Sequence, residues 1–266
     1  MHSFLPRNVP FKQFFIIMKV SIITVTYNSG KFLEDCIKSV IMQRYHNIEH
    51  IIIDGKSTDN TLSIIKKYKS HITKNISETD RGIYDAINKG MAMATGDIIG
   101  NLNSDDILVD DDVIESIVKA FENNNVDTVY GDLEYVSAAD TNKIIRIWKG
   151  RLFNRMRFLY GWMPAHPTFY IKRSLVEKYG YYENHYYTAA DYEFMARYLY
   201  KNRLSAYYLP KLIVKMRVGG QSNKSLYQRL RANRRDYLAM RKNKIPLAFI
   251  VSILKPLIKV QQFFKK

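Results

Sequence analysis

Cysteine is almost missing from this 266-residue chain: Cys36 stands alone, so no intramolecular disulfide can form, and no Cys/His set has the spacing of a zinc site. Long hydrophobic runs are missing as well. The best one, 245–254, is ten residues long, carries Pro246 and is stopped by Lys255 and Pro256. A bilayer-spanning helix needs roughly 20 apolar residues, so this segment suits an interface and not a crossing. Residues 1–17 contain Pro6 and Pro10 but no small-residue cleavage pattern after an apolar stretch. They read as an irregular extension, with Met18 as an alternative working start and the cytoplasm as the expected compartment. Acidic residues are scarce in one region only. Of 41 Lys and Arg and 25 Asp and Glu, 17 and one fall within 201–266, leaving 24 of each sign in the first 200 positions. The net charge of +16 therefore belongs to a tail, as an attachment device would, and not to the body.

What is present is an ordinary globular composition, 47% hydrophobic and 13% aromatic, which excludes wholesale disorder. VSIITV at 20–25 is a β-branched run, as expected of a strand buried on both faces. Phe32, Leu33, Cys36, Ile37, Val40 and Ile41 then recur at helical spacing. EHIIID at 49–54 predicts a second strand, with a helix capped by Ser57 or Thr58 after it. Further strands are expected at 72–77, 97–102 and 128–131, and helices at 84–94 and 113–121. This alternation predicts an α/β fold with a doubly wound, mostly parallel sheet. Beyond 131 the rhythm weakens into a hairpin at 133–148, a loop at 150–165, a strand at 168–171 and helices at 174–179 and 191–200. One domain is expected over 18–220, followed by a basic amphipathic helical tail over 221–266.

In an open parallel sheet, ligands bind beyond the carboxyl ends of the strands. Three polar clusters fall there: Thr26, Tyr27 and Asn28; Asp54 to Asp59; and Asn103, Ser104, Asp105 and Asp106. A single strand-end Asp is commonly a cap or a turn former. Three clusters at three strand ends point to one crevice. A carboxylate pair at a rigid strand end suits one Mg²⁺ or Mn²⁺ whose other ligands are waters and phosphate oxygens. Neither a Walker A loop nor a GxGxxG fingerprint follows the first strand, which excludes a P-loop ATPase and a dinucleotide dehydrogenase. A metal-bound diphosphate without those loops points to a nucleotide-sugar.

TVTYN at 24–28, IDGKSTDNT at 53–61, SETDRGIYDAINKGMAMATGDIIGNLNSDD at 77–106 and AADYEF at 189–194 resemble the family 2 glycosyltransferases, the inverting group with the GT-A fold. The resemblance spans about 19–220. It implies transfer of a sugar from a nucleoside-diphosphate carrier to an acceptor hydroxyl with Mg²⁺ or Mn²⁺. Residue by residue, it implies that Thr26, Tyr27, Asn28 and Asp54 border the base and ribose and that Asp59 and Asp80 shape the same pocket. Asp105 matches the metal-binding acid of the family's Asp-x-Asp motif. Its first acid is replaced here by Asn103, whose amide still suits a ribose hydroxyl. Ser104 and Asp106 complete the donor cluster, with Asp106 a neighbouring or sugar-hydroxyl ligand.

Asp191 matches the family's catalytic base, although an acid in a first helical turn is equally a dipole-stabilised position. His166, within MPAHPTF at 163–169, is expected to touch the diphosphate or the acceptor, with a structural histidine as the other reading. Arg217, Gly219, Gly220 and Ser222 are expected in a mobile loop closing over the diphosphate. UDP is the favoured carrier, with GDP and dTDP open.

The tail combines Arg229, Arg231, Arg234, Arg235, Arg241, Lys242 and Lys244 with apolar residues at 246–266. That pairing suits an anionic membrane surface and a lipid-linked glycan acceptor, as in surface-polysaccharide assembly, more than nucleic acid. A subunit interface is the other use for its apolar face. The chain has neither the membrane spans nor the Gln-x-x-Arg-Trp motif of the family's processive synthases, so one sugar per encounter is expected. The rival class is a non-catalytic nucleotide-sugar or polyanion-binding module, which the intact Asp105 and Asp191 argue against.

Overall fold

The computed structural model describes residues 17–219 and 226–260. Strand β1 (Val20–Thr26) is buried at every position, as its unbroken apolar run requires. Alternate side chains enter different layers: Val20 and Ile22 face the helix α1 (Leu33–Ile41), while Ile23 and Val25 face the opposite side. The chain continues through β2 (Ile48–Asp54), α2 (Thr61–Lys67), β3 (Lys74–Ser77), α3 (Ile83–Met93) and β4 (Ile98–Asn101). These four strands are parallel in the order β3, β2, β1, β4. Their register places Thr26 beside Asp54, and Asp54 beside Ser77, so the polar ends of the strands meet. Helix α3 lies close on β1. A Cβ at Gly90 would sit 2.4 Å from Ile23 Cγ2, and only glycine permits that approach.

Past β4 the sheet becomes mixed. Its elements are β5 (Asp106–Leu108), α4 (Val113–Asn124), β6 (Thr128–Val136), β7 (Ile144–Trp148), β8 (Tyr170–Lys172), α5 (Arg173–Tyr179), α6 (Ala190–Met195) and β9 (Ala206–Arg217). The sheet order runs on as β8, β6, β9, β5, with β7 on β6. Strand β8 is antiparallel to both β4 and β6, and β5 is antiparallel to β9. The expected hairpin is β6–β7.

Two strands differ from the expectation. The short β5 begins at Asp106, which the sequence places in a strand-end turn. The 12-residue β9 has no counterpart in the sequence reading, because Pro210 interrupts it and proline removes a ladder donor. The structure accommodates Pro210 where the β6–β9 register jumps from Tyr130↔Tyr208 to Asp132↔Leu212. The extra residues bulge there against Gly131, whose Cβ would lie 2.7 Å from the Lys211 carbonyl oxygen.

The helical tail forms α7 (Leu226–Lys242) and α8 (Ala248–Val260). Their inner side belongs to the body: Ala239, Met240, Ile245, Ala248 and Val251 are buried in the same core as Ile23, Ile51 and Tyr192. Among the described residues no helix is long and apolar enough to cross a membrane.

Candidate active site

Asp54 ends β2 with no exposure, and its carboxylate accepts hydrogen bonds from Ser57 N at 3.0 Å, Ser57 Oγ and Ser77 Oγ at 2.6 Å. The Asp thereby shapes the turn that follows it. Asn28, at φ 49°, takes the left-handed conformation that asparagine tolerates. Its Oδ1 accepts from Thr58 N at 2.8 Å and its own N–H donates to Ser57 Oγ at 2.8 Å, which locks the ends of β1 and β2 together. Asp59 accepts from Gly30 N and Thr61 N, each at 3.0 Å, so it is a clamp between the two loops. The Thr61 hydroxyl beside it holds its carboxyl below the usual range. Tyr27 is exposed, Thr26 Oγ1 is buried without a partner, and Asp80 closes the same corner. A Cβ at Gly55 would meet Asp80 Oδ2 at 2.7 Å and the Tyr27 ring at 3.3 Å. The structure therefore brings Thr26, Tyr27, Asn28, Asp54, Asp59 and Asp80 together.

The third cluster joins them, because Ser104 Oγ donates to or accepts from Ser29 Oγ at 2.8 Å. Asp106 is fully buried. Its Oδ2 accepts from Asn103 Nδ2 at 3.0 Å, Oδ1 makes no hydrogen bond of ordinary geometry, and the Arg217 backbone N–H and guanidinium lie near enough to favour the ionised form. Burial and the adjacent Asp105 push its carboxyl well above the usual range. Burial raises Asp105 too, against the opposing pull of the Arg217 guanidinium. Two adjacent desolvated carboxyls supply hard oxygen donors of the kind that fit Mg²⁺ or Mn²⁺. Among the described residues no group of three or more His, Cys, Asp or Glu is gathered for a metal. The protein would thus offer one or two carboxylates and leave the other positions to water and phosphate.

Arg217 is not in the closing loop expected for it. It is the last residue of β9 and is buried, donating to the Asp105 carbonyl at 2.9 Å and to Asp35 Oδ2 at 2.6 Å, with its guanidinium 4.8 Å from the Phe32 ring centroid. Gly219 follows with φ 131°, and Gly220 and Ser222 lie outside the described residues. A cavity of about 350 Å³ beside Arg217, Asp35 and Lys38 lies on the α1 side of β5.

Asp191 stands in the first turn of α6. Tyr84 Oη donates to its Oδ2 at 2.9 Å, and His166 Nδ1 lies 3.7 Å from the same oxygen. Burial and the Asp191 carboxylate raise the Tyr84 hydroxyl well above its ordinary range, so it remains a donor. Tyr182 stacks on Phe194 at 4.2 Å and lies 5.3 Å from Tyr84. Burial and the nearby Asp191 carboxylate raise the Tyr182 hydroxyl well above its ordinary range. Sequence reasoning missed Tyr84 and Tyr182. Each reads locally as an apolar helix or loop aromatic, and its polar partner is remote in sequence.

The chain matches the family model for glycosyl transferase family 2 over residues 21–180. It belongs to the family 2 glycosyltransferases. Glycosyltransferase Rv1514c of Mycobacterium tuberculosis is 33% identical over 183 residues, 67% of this chain and 68% of that one. A PGL/p-HBAD biosynthesis glycosyltransferase of Mycobacterium bovis is 31% identical over 208 residues, 76% of this chain and 78% of its own. Among solved structures, Staphylococcus aureus TarS superposes with a TM-score of 0.66 at 18% identity, covering 93% of this chain, which spans 44% of TarS. TarS 1–349 with UDP-GlcNAc gives 0.65 at 17% identity, covering 93% and 73%. The mannosyltransferase PcManGT of Pyrobaculum calidifontis, with GDP-Man and Mn²⁺, gives 0.60 at 18%, covering 92% and 75%. The mixed sheet and its flanking helices are the GT-A fold.

Proposed function

We propose that this glycosyltransferase moves one sugar from a nucleoside-diphosphate sugar to a hydroxyl of a lipid-linked glycan, with inversion, at the inner face of a membrane during surface-polysaccharide assembly. The observation that carries the reading is the presence of two acid sites: the desolvated Asp105–Asp106 corner at the strand ends, and Asp191, whose carboxylate is held by Tyr84 with His166 3.7 Å away. Thr26, Tyr27, Asn28, Asp54 and Asp80 line the base and ribose side, and Asn103 offers its amide to a hydroxyl. Asp105, with Asp106 beside it, would hold a Mg²⁺ or Mn²⁺ that neutralises charge on the departing diphosphate. Asp191 accepts the acceptor hydroxyl's proton, which makes the oxygen nucleophilic. Attack from the face opposite the leaving diphosphate inverts the anomeric centre. His166 lies beside that proton path and binds the acceptor or diphosphate, and Arg217 braces the Asp105 backbone.

UDP and UDP-GlcNAc in TarS and GDP-Man with Mn²⁺ in PcManGT support a nucleotide-sugar donor and a divalent ion, with UDP favoured. The membrane reading draws on α8, where Leu247 just before the helix and Phe249 within it are 71% and 66% exposed, beside exposed Ile250, Ile253, Arg241 and Lys244. A thermal-shift panel of UDP, GDP and dTDP with and without Mn²⁺ tests the donor. Stabilisation by one diphosphate that requires Mn²⁺ is expected, because a ligand that binds the native state raises the melting temperature. No shift with any of them would overturn the donor assignment.

A further inference from the structure

Glu193 has no exposure and is surrounded by donors. Arg197 Nε reaches its two oxygens at 3.1 and 3.3 Å and Arg197 Nη2 reaches Oε2 at 3.1 Å. At the end of α7, Lys242 Nζ lies 3.7 Å from Oε1, and Asn243 Nδ2, just past the helix, approaches it at 3.3 Å. A helix advances roughly 100° per residue, so Glu193 points about 200° away from Asp191, toward the tail and not toward the crevice. It is therefore not a second base. Arg197 also donates to the carbonyls of Gly180 at 2.9 Å and Tyr181 at 2.6 Å, and Lys242 pairs with Glu183. These contacts hold the 179–183 segment, which contains Tyr182, to the helical turn that continues α6 and to the end of α7.

Asn243 is itself fully buried and also donates to Ala239 O at 2.9 Å. Just before α6, Tyr187 sits at φ 46° and ψ −120°, with the Arg235 guanidinium of α7 4.3 Å from its ring centroid. Such a conformation persists only where its surroundings impose it. Beyond α6 the helix continues as one π-helical turn, 196–201, the kind of irregularity that re-aims side chains. A buried carboxylate needs partners. Here the helix bearing Asp191 draws some of them from the end of the chain.

We infer that Glu193 is a positioning residue for Asp191 and that α7 completes the active site by holding it through Asn243 and Lys242. The inference rests on Asp191 being the base. It assigns to the tail a role separate from any surface it docks on, since the groups concerned face inward.

The full chain carrying Asn243→Leu or Lys242→Met tests this in two ways. Hydrogen exchange should rise at least tenfold over 184–201 and stay within twofold at 54–59 and 103–106. Hydrolysis of UDP-GlcNAc to UDP, or of GDP-Man to GDP, with Mn²⁺ and water acting as acceptor, should show kcat at least tenfold lower, KM for the donor within twofold, and a shifted acid limb of the kcat–pH profile. Lys242→Arg should restore both. If Asn243→Leu does not fold, Lys242→Met decides alone, because its side chain is one-third exposed. Unchanged exchange at 184–201, or a uniform rise in every segment, overturns the inference. If the wild type itself releases neither UDP nor GDP, the donor reading fails while the exchange pattern still decides the positioning.

Discussion

Tyr84 Oη and Asp191 Oδ2 meet at 2.9 Å although 107 residues separate them. The phenol comes from α3, whose distance from β1 is set by Gly90, and the acid from the first turn of α6. With its own proton held by burial and by the carboxylate, Tyr84 anchors one oxygen of Asp191, the proposed base, and fixes the direction of that carboxylate.

Asp191→Asn should bind the donor diphosphate nearly normally while transfer falls by two or more orders of magnitude, within the 10²- to 10⁴-fold typical of general base catalysis. Tyr84→Phe should lower kcat by a smaller factor, about tenfold, as expected for a lost hydrogen bond of about 1.4 kcal/mol to a charged group. Steady-state kinetics with calorimetric donor affinity separates the two effects. Lost donor binding in Asp191→Asn would make it a structural acid.

Asp105→Ala should keep the fold and abolish the Mn²⁺ dependence of nucleoside-diphosphate binding. Asp106→Asn replaces a buried carboxyl, whose ionised form is opposed by desolvation and by Asp105, with a neutral amide of the same shape, so its melting temperature should equal or exceed that of the wild type while Mn²⁺-dependent affinity falls. Thermal melts with and without Mn²⁺ and diphosphate measure both. A destabilised Asp106→Asn would mean that the carboxylate is satisfied without a cation.

Phe249→Ser with Ile250→Ser changes exposed side chains of α8 and leaves the buried Ile245, Ala248 and Val251 in place. Co-sedimentation with anionic vesicles should weaken, and what attachment remains should be lost at high salt, where exposed charges are screened. The wild type should retain a salt-resistant component. Wild-type protein left in the supernatant under all conditions would reassign this face to a subunit contact.

Acid should destabilise the protein in two steps. Burial holds the His50 imidazole at about 4 in place of 6.5, so the unfolded chain binds the extra proton first and stability falls as pH drops from 6.5 toward 4, by on the order of 3 kcal/mol. For Glu49, burial alone would raise the carboxyl, but hydrogen bonds from Lys19, Ser21 and Thr95 outweigh it and hold it at about 2. The stability it contributes is complete above 4.5 and is lost between 4.5 and 2. Urea midpoints for His50→Gln between pH 7.5 and 4 should show the first step flattened.

Sequence alone determined the alternation of strands and helices up to β4, the three polar clusters at the strand ends and the family, and it singled out Asp191 as the candidate base. These follow from short-range causes: the period of apolar residues, β-branched runs and turn chemistry at Asn28, Gly55 and Asp59. Tertiary structure decided what those residues touch. The sequence cannot show Asp106 starting a buried strand, because β5 exists only by pairing with β9, and β9 itself is concealed by Pro210 until β6 supplies a register shift. Arg217 changes from a loop residue to a brace under Asp105 for the same reason. The tail's composition announces charge and amphipathicity, yet the contact of Asn243 with Glu193 spans 50 residues and depends on packing Ala239 and Met240 into the core. Periodicity specifies which face of a helix is apolar. Which surface receives that face, and which buried acid is paired through it, emerges only when the whole chain has folded.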